Sequence, residues 1–135
     1  MFAKQLKRKC PECGREVGDY CNPCNSAHFR DNFANWTSDD SNMDKLIQNS
    51  QLNANTTHQL IEWIEYSNLE IIDFVAQGGF GKVYKAIWKD GHMEYWDSKN
   101  NQWNRSKNRP VALKCLHNSQ DITAEFLREV SSFFF

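Results

Sequence analysis

The second half of the chain contains a β-prone run in which Val83, Lys85 and Ile87 alternate with Tyr84, Ala86 and Trp88. Residues 82–88 read Lys-Val-Tyr-Lys-Ala-Ile-Trp, so that successive side chains fall on opposite faces of an extended backbone. β-branched and aromatic residues, which favour strands, are frequent in this run and in residues 69–76. The pattern therefore predicts strands at 69–76 and 82–88, and we expect a third strand at 109–116.

The preceding segment, residues 26–68, has a helical period instead. Phe29, Phe33 and Trp36 recur at the spacing of one helix face. Residues 39–41 read Asp-Asp-Ser and are N-cap candidates for a second helix, because their side-chain oxygens can accept bonds from free backbone N–H groups. Together with the strands, this predicts an α+β chain with a helical linker before its sheet.

The interval between the second and third strands is too long for a simple hairpin loop. Such loops usually have about 2–5 residues, whereas residues 89–108 separate these strands. Turn-forming residues at 89–91 and 98–102 bracket strand-like runs at 92–97 and 103–105. We therefore predict an inserted β-hairpin.

Three glycines, Gly78, Gly79 and Gly81, lie between the first two strands. Glycine lets a backbone turn sharply and approach a bulky anion without a Cβ in the way. A dinucleotide-binding fingerprint requires a helix after the glycines, and a P-loop requires Ser or Thr after its Gly-Lys pair. Here Val83 follows Gly81-Lys82 and begins a β-prone run, so both alternatives are excluded.

The order of strand, glycine turn, strand and lysine-bearing strand resembles the small lobe of the protein kinase family. Residues 76–83, Ala-Gln-Gly-Gly-Phe-Gly-Lys-Val, resemble its G-x-G-x-x-G-x-V loop, and residues 111–114, Val-Ala-Leu-Lys, resemble its V-A-I-K strand. Residues 122–130 are similar to the C helix, with Glu129 as the acid that pairs with Lys114. Ala76 departs from the family pattern, since it replaces the first glycine.

The resemblance implies a fold, a ligand and a set of binding residues. The implied fold of residues 69–135 is an incomplete kinase-like small lobe, an antiparallel sheet with a C helix. In the whole chain we expect this lobe to be preceded by a helical segment and a small zinc knuckle. The ligand is ATP, with Lys114 on the α- and β-phosphates and with Val83 and Ala112 above the adenine. By strand alternation Cys115 should face the opposite side as a core residue. The implied ATP-binding residues are Val75, Gly78, Gly79, Phe80, Gly81, Val83, Ala112, Lys114 and Glu129.

The resemblance covers residues 69–130 and does not extend to the helical lobe of the family. The implied parent reaction is ATP-dependent phosphorylation of Ser/Thr, or alternatively Tyr, in proteins. Mg²⁺ binding and catalysis would need a catalytic loop and an Asp-Phe-Gly segment, which this sequence lacks. We therefore expect residues 69–135 to be a partial kinase domain that does not transfer phosphate alone, and no catalytic residue is assigned.

Four cysteines near the N-terminus form two Cys-x-x-Cys pairs, Cys10 with Cys13 and Cys21 with Cys24. Four thiolates match the tetrahedral preference of structural zinc, so we predict a zinc knuckle at 10–25, with a short hairpin between the pairs. Gly14 and Asn25, which follow the second cysteine of each pair, are expected to adopt left-handed backbone. His28 is an alternative fourth ligand, and a redox dithiol is an alternative role that lacks its usual βαβ context.

Composition limits the remaining choices. The 135 residues carry a net charge of −1, which disfavours nucleic acid as a partner of the basic arm at 1–9. No apolar run is long enough to cross a membrane, and no secretory leader is evident, so we expect an intracellular, cytoplasmic chain with reduced cysteines. The rival to the kinase hypothesis is a zinc-organised protein-interaction module that carries a degraded kinase fragment. The protein partner or substrate is not encoded in any motif.

Overall fold

The computed structural model describes residues 1, 3, 8–79 and 81–116, which form a mixed α/β structure with two α-helices and antiparallel sheets. The chain divides into two compact units. The first unit comprises Met1–Trp63 together with Trp96–Gln102. The second comprises Ile64–Tyr95 together with residues 103–116 of the described part.

The first unit begins with a two-stranded ribbon and continues into two helices. Strand β1, Arg8–Lys9, pairs antiparallel with β2, Glu16–Val17. Helix α1 spans Asn22–Asn32 and helix α2 spans Ser41–Asn53. Two hydrogen bonds connect α1 with the end of α2. The Asn22 side chain donates to the carbonyls of Leu52 and Ala54, at 3.0 and 2.8 Å.

Helix α2 begins where the sequence predicts. Asp40 is its N-cap, and the carboxylate accepts from the backbone N–H groups of Asn42 and Met43, both at 2.9 Å. The helix buries Ile47, which is 2% exposed, and Phe29 of α1 is 3% exposed. These side chains supply the apolar core of the helical part. Ser50, also fully buried, accepts a bond from the N–H of Ile61 and so fixes the chain that follows α2.

The second unit is built on a three-stranded antiparallel sheet in the order β3-β4-β7. Strand β3 spans Leu69–Gly78, β4 spans Gly81–Trp88, and β7 spans Arg109–Leu116. The three predicted strands are confirmed, with β3 two residues longer and β4 one residue longer than expected. The pairing of β3 with β4 shifts register between Ile71 and Asp73 and between Phe74 and Ala76, so β3 carries two bulges.

The predicted inserted hairpin is also present. Strands β5, Met93–Asp97, and β6, Gln102–Arg105, form a separate two-stranded sheet. Gly91, just before β5, has φ +70°, and a Cβ placed there would lie 1.6 Å from the carbonyl oxygen of Ser106. The hairpin base therefore requires glycine at this position.

The register assigns the side chains of the three-stranded sheet to two faces. One face carries Ile71, Phe74, Tyr84, Ala86 and Leu113, where Ala86 is fully buried and Phe74 meets Tyr84 edge to face at 5.7 Å. The other face mixes charged and apolar side chains, with Asp73, Val83, Lys85 and Lys114 among its residues. Neither helix of the described part is long and apolar enough to cross a membrane.

Candidate functional site

The four cysteine sulfurs converge on one point at the start of the first unit. The Sγ atoms of Cys10, Cys13, Cys21 and Cys24 all lie within 4.8 Å of one another. Cys10 and Cys24 are separated by 3.9 Å, and Cys13 and Cys21 by 3.8 Å. A tetrahedral zinc ion with Zn–S bonds of about 2.3 Å places its sulfurs about 3.8 Å apart. The donor set therefore fits a metal ion such as zinc.

The first pair is held in a tight turn between β1 and β2. The N–H of Gly14 donates to the carbonyl of Cys10 at 2.9 Å, and the N–H of Cys10 donates to the carbonyl of Arg15 at 2.8 Å. Gly14 has the expected left-handed backbone, with φ +74°. The predicted hairpin between the two pairs is wrong. The ribbon encloses the first pair instead, because β1 ends before Cys10 and β2 begins after Cys13.

The second pair lies at the N-terminus of α1. Cys21 is the N-cap residue and Cys24 is in the first helical turn, with Pro23 among the first residues of the helix. Asn25 is therefore helical, not left-handed as expected, and its N–H donates to the carbonyl of Cys21 at 3.0 Å. The positive end of a helix dipole favours thiolate ligands at this position.

Three of the four thiols have shifted pKa values. A hydrogen bond from the backbone N–H of Arg15 lowers the pKa of Cys13, the exposed member of the cluster, to about 7. Burial raises the pKa of Cys21 and of Cys24 above the usual value of 9.0. Without a cation, four close thiolates would repel one another, whereas a divalent cation stabilises all of them. The arrangement is therefore suited to metal binding more than to dithiol redox chemistry.

His28 lies beside the cluster and is not one of its four ligands. Its Nε2 is 2.7 Å from Oε1 of Glu12, which is in the turn between Cys10 and Cys13. Its imidazole also stacks on Trp96, with ring centroids 3.7 Å apart and planes 13° apart. Sequence reasoning missed both contacts. The spacing of four residues between Cys24 and His28, which places them on one face of α1, was the available indication.

The glycine turn joins two strands, as predicted. Gly78 ends β3 and pairs with Gly81, which begins β4, so only two residues connect the strands. Because a strand follows Gly81, the helix that a dinucleotide fingerprint or a P-loop requires is absent from residues 81–88. A Cβ added to Gly78 or Gly79 would meet nothing within 4 Å.

The strand register brings several of the predicted ATP-binding residues onto one face of the sheet. Ala76 pairs with Val83, and Val83 pairs with Lys114, so the three residues form a row across the sheet. Ala112 pairs with Lys85 two positions further along the same face. The row lies two positions from the turn, where Gly81 pairs with Leu116.

The remaining predicted residues are placed differently. Val75 lies at the second bulge of β3, outside the row, and is 60% exposed. The expectation that Cys115 is a core residue is wrong, because Cys115 pairs with Lys82 at the sheet margin and is exposed. Phe80 and Glu129 lie outside the described residues.

Comparisons with protein-family models, with curated proteins and with solved structures found no match to this chain.

Proposed function

We propose that this chain is the nucleotide-binding portion of a protein-kinase-like domain, preceded by a zinc-stabilised helical unit. The parent reaction is ATP-dependent phosphorylation of Ser/Thr, or of Tyr, in proteins. The support comes from the sequence resemblance together with the arrangement of the sheet around the glycine turn.

The observation that carries the proposal is the row formed by Ala76, Val83 and Lys114. Directly paired residues of antiparallel strands project to the same face, so the lysine and the apolar Val83 share one surface. Two strand positions, about 7 Å, separate this row from the glycine turn. A nucleotide on this face would place its base against apolar side chains and its phosphates near the turn and the ammonium group.

The glycines of the turn support the same conclusion. At Gly91 the fold itself requires glycine, because a Cβ would collide with the Ser106 carbonyl. At Gly78 and Gly79 a Cβ would meet open space, and neither residue has a left-handed φ. Contacts with the described residues do not explain a requirement for glycine there, whereas a ligand that approaches the backbone closely, such as a phosphate group, would explain it.

In this proposal each residue has a limited role. The backbone N–H groups of the turn face the phosphates, and Lys114 contributes a positive charge to the α- and β-phosphates. By the family resemblance, Glu129 holds the lysine. Transfer of the phosphoryl group would also need Mg²⁺ ligands and a residue that orients the acceptor hydroxyl. The resemblance reaches only residues 69–130, so nucleotide binding is the activity we propose for this chain.

Thermal unfolding in the presence of ATP tests the proposal. A ligand that binds only the folded state stabilises it by about 2.7 kcal/mol at one hundred times its Kd. We expect the melting temperature of the second unit to rise with ATP concentration and to remain unchanged with free ribose 5-phosphate at equal ionic strength. A melting temperature independent of ATP up to millimolar concentration would contradict nucleotide binding.

A second candidate function is a zinc-organised protein-interaction module whose sheet has no nucleotide ligand. The observation that favours it is the convergence of four sulfurs at the start of the helical unit, which can stabilise that unit with no help from ATP. Loss of the folded helical unit on chelation, combined with no response to ATP, would support this alternative. The response to ATP and the response to chelation are measured independently, so either proposed function can be rejected without rejecting the other.

A further inference from the structure

We infer that the metal centre controls the inserted hairpin, because metal binding positions the surface on which the hairpin tip, residues 96–102, is held. This inference concerns the first unit, to which the tip belongs, and does not depend on nucleotide binding. It rests on the contacts among Glu12, His28 and Trp96.

The pair formed by Glu12 and His28 joins the two halves of the metal centre. Glu12 lies in the turn that presents the first pair of cysteines, and His28 lies one helical turn after Cys24 of the second pair. Their side chains meet at 2.7 Å and are 20% and 23% exposed, with His28 the less exposed. A cation bound by all four sulfurs fixes the turn and the helix relative to each other, and thereby holds this contact together.

Trp96 stacks on His28, one member of this pair. The imidazole of His28 is parallel to the indole of Trp96 and close to it, at 3.7 Å between centroids. The stacked ring is half-buried, although it comes from a segment far along the chain, at the end of β5. Because Glu12 restrains the imidazole through its Nε2 atom, the ring is pre-oriented for stacking.

The consequence is a conformational device. With metal bound, the cysteine-containing segment 10–25 orders the hairpin tip. Without metal, the turn that carries Glu12 separates from the helix that carries His28. The imidazole then loses its restraint, and the tip is released.

Amide hydrogen exchange of the peptide that covers 96–102 tests this inference in the zinc-loaded, full-length chain. We expect chelation to accelerate exchange in this peptide. We also expect His28→Ala to accelerate it by about two- to tenfold with one zinc still bound, the factor of a single aromatic contact. Glu12→Ala should act in the same direction with a smaller factor. His58→Ala, at a histidine in another part of the first unit, should leave the peptide unchanged.

The variants distinguish the inference from simple unfolding. Chelation alone could expose the tip because the whole helical unit unfolds, whereas His28→Ala with zinc bound removes only the stack. Unchanged exchange in zinc-loaded His28→Ala, or a tip that stays protected after chelation, would overturn the inference. If His28→Ala fails to fold, the zinc-loaded Glu12→Ala variant decides, and unchanged exchange in it has the same meaning.

Discussion

Val83 and Lys114 face each other directly across neighbouring antiparallel strands. Lys82, one residue earlier, pairs with Cys115 and so lies on the opposite face of the sheet. Two adjacent lysine-containing pairs thus present their charges to different sides of one sheet. Under the proposed function we therefore expect Lys114 to contact a nucleotide, and Lys82 provides a matched control on the opposite face.

The metal centre should depend on each of its four sulfurs. We expect Cys10→Ser, at a ligand that is 5% exposed, to lower zinc affinity by more than the roughly 10- to 100-fold that loss of an outer hydrogen bond costs. The melting temperature of the helical unit should fall, because binding free energy stabilises the folded state. Zinc content and thermal unfolding measure both effects. Cys115→Ser, at an exposed cysteine outside the cluster, should retain one zinc per chain; equal loss in both variants would refute this assignment.

The hairpin base should not tolerate a side chain at Gly91. Its positive φ and the collision of a Cβ with the Ser106 carbonyl predict that Gly91→Ala destabilises the protein by at least about 1–3 kcal/mol. Chemical denaturation measures the change. Gly18→Ala is the control, since a Cβ there meets nothing within 4 Å, and it should change the stability by less than about 0.5 kcal/mol. Similar costs for both variants would show that the steric argument fails.

A substitution in the glycine turn should weaken ATP binding without lowering the stability of the fold. Gly78→Ala adds a Cβ in open space at a residue without a left-handed φ, so we expect little change in the free energy of unfolding, within about 0.5 kcal/mol. The same methyl group should weaken ATP binding, because it occupies the space that a phosphate needs. Calorimetric titration with ATP measures the second effect. Unchanged ATP affinity in a stable Gly78→Ala variant would mean that no ligand approaches this residue.

Lowering the pH should remove the stabilisation that Asp44 provides in the first turn of α2. Hydrogen bonds from the hydroxyls of Ser38 and Thr37 hold the pKa of this carboxyl below its usual value of 3.8. A lowered folded-state pKa stabilises the protein above pH 3.8, and this stabilisation is lost as the pH falls through the folded value. Asp44→Asn should therefore be less stable than the natural chain at pH 6, with a difference that vanishes at low pH.

Denaturation of both proteins across this range provides the measurement for Asp44, and taking the difference cancels the acid sensitivity that the cysteine cluster contributes to each. Ser38→Ala, which removes the Ser38 hydroxyl that donates to Asp44, should reproduce part of this pH-dependent loss of stability. A difference between Asp44→Asn and the natural chain that stays constant with pH would contradict the hydrogen-bond explanation.

Local rules predicted most of the regular elements. β-prone runs located the first two strands of the sheet, the Asp-Asp-Ser sequence located the start of α2 at Asp40, and the length of the interval after β4 indicated the inserted hairpin. The spacing of the cysteines likewise predicted a four-cysteine cluster, which the fold brings together and which could hold a metal ion. In these cases the indication in the sequence lies within a short segment or in a simple spacing.

Contacts between distant segments were not predictable in this way. Trp96 stacks on His28 although they are far apart in the sequence, and no periodic pattern relates them. The bulge at Val75 also escaped prediction, because its extra residue is visible only once the partner strand is known.

Calorimetric titration of ATP into the natural chain, Lys114→Met and Lys82→Met tests the central claim most directly. Both variants remove one positive charge and keep a long side chain in adjacent pairs of the sheet. The account predicts measurable affinity in the natural chain, loss of at least about tenfold in Lys114→Met, as for a charge-assisted contact of roughly 1.5–3 kcal/mol, and little change in Lys82→Met. No binding by the natural chain, or equal losses in the two variants, would contradict it.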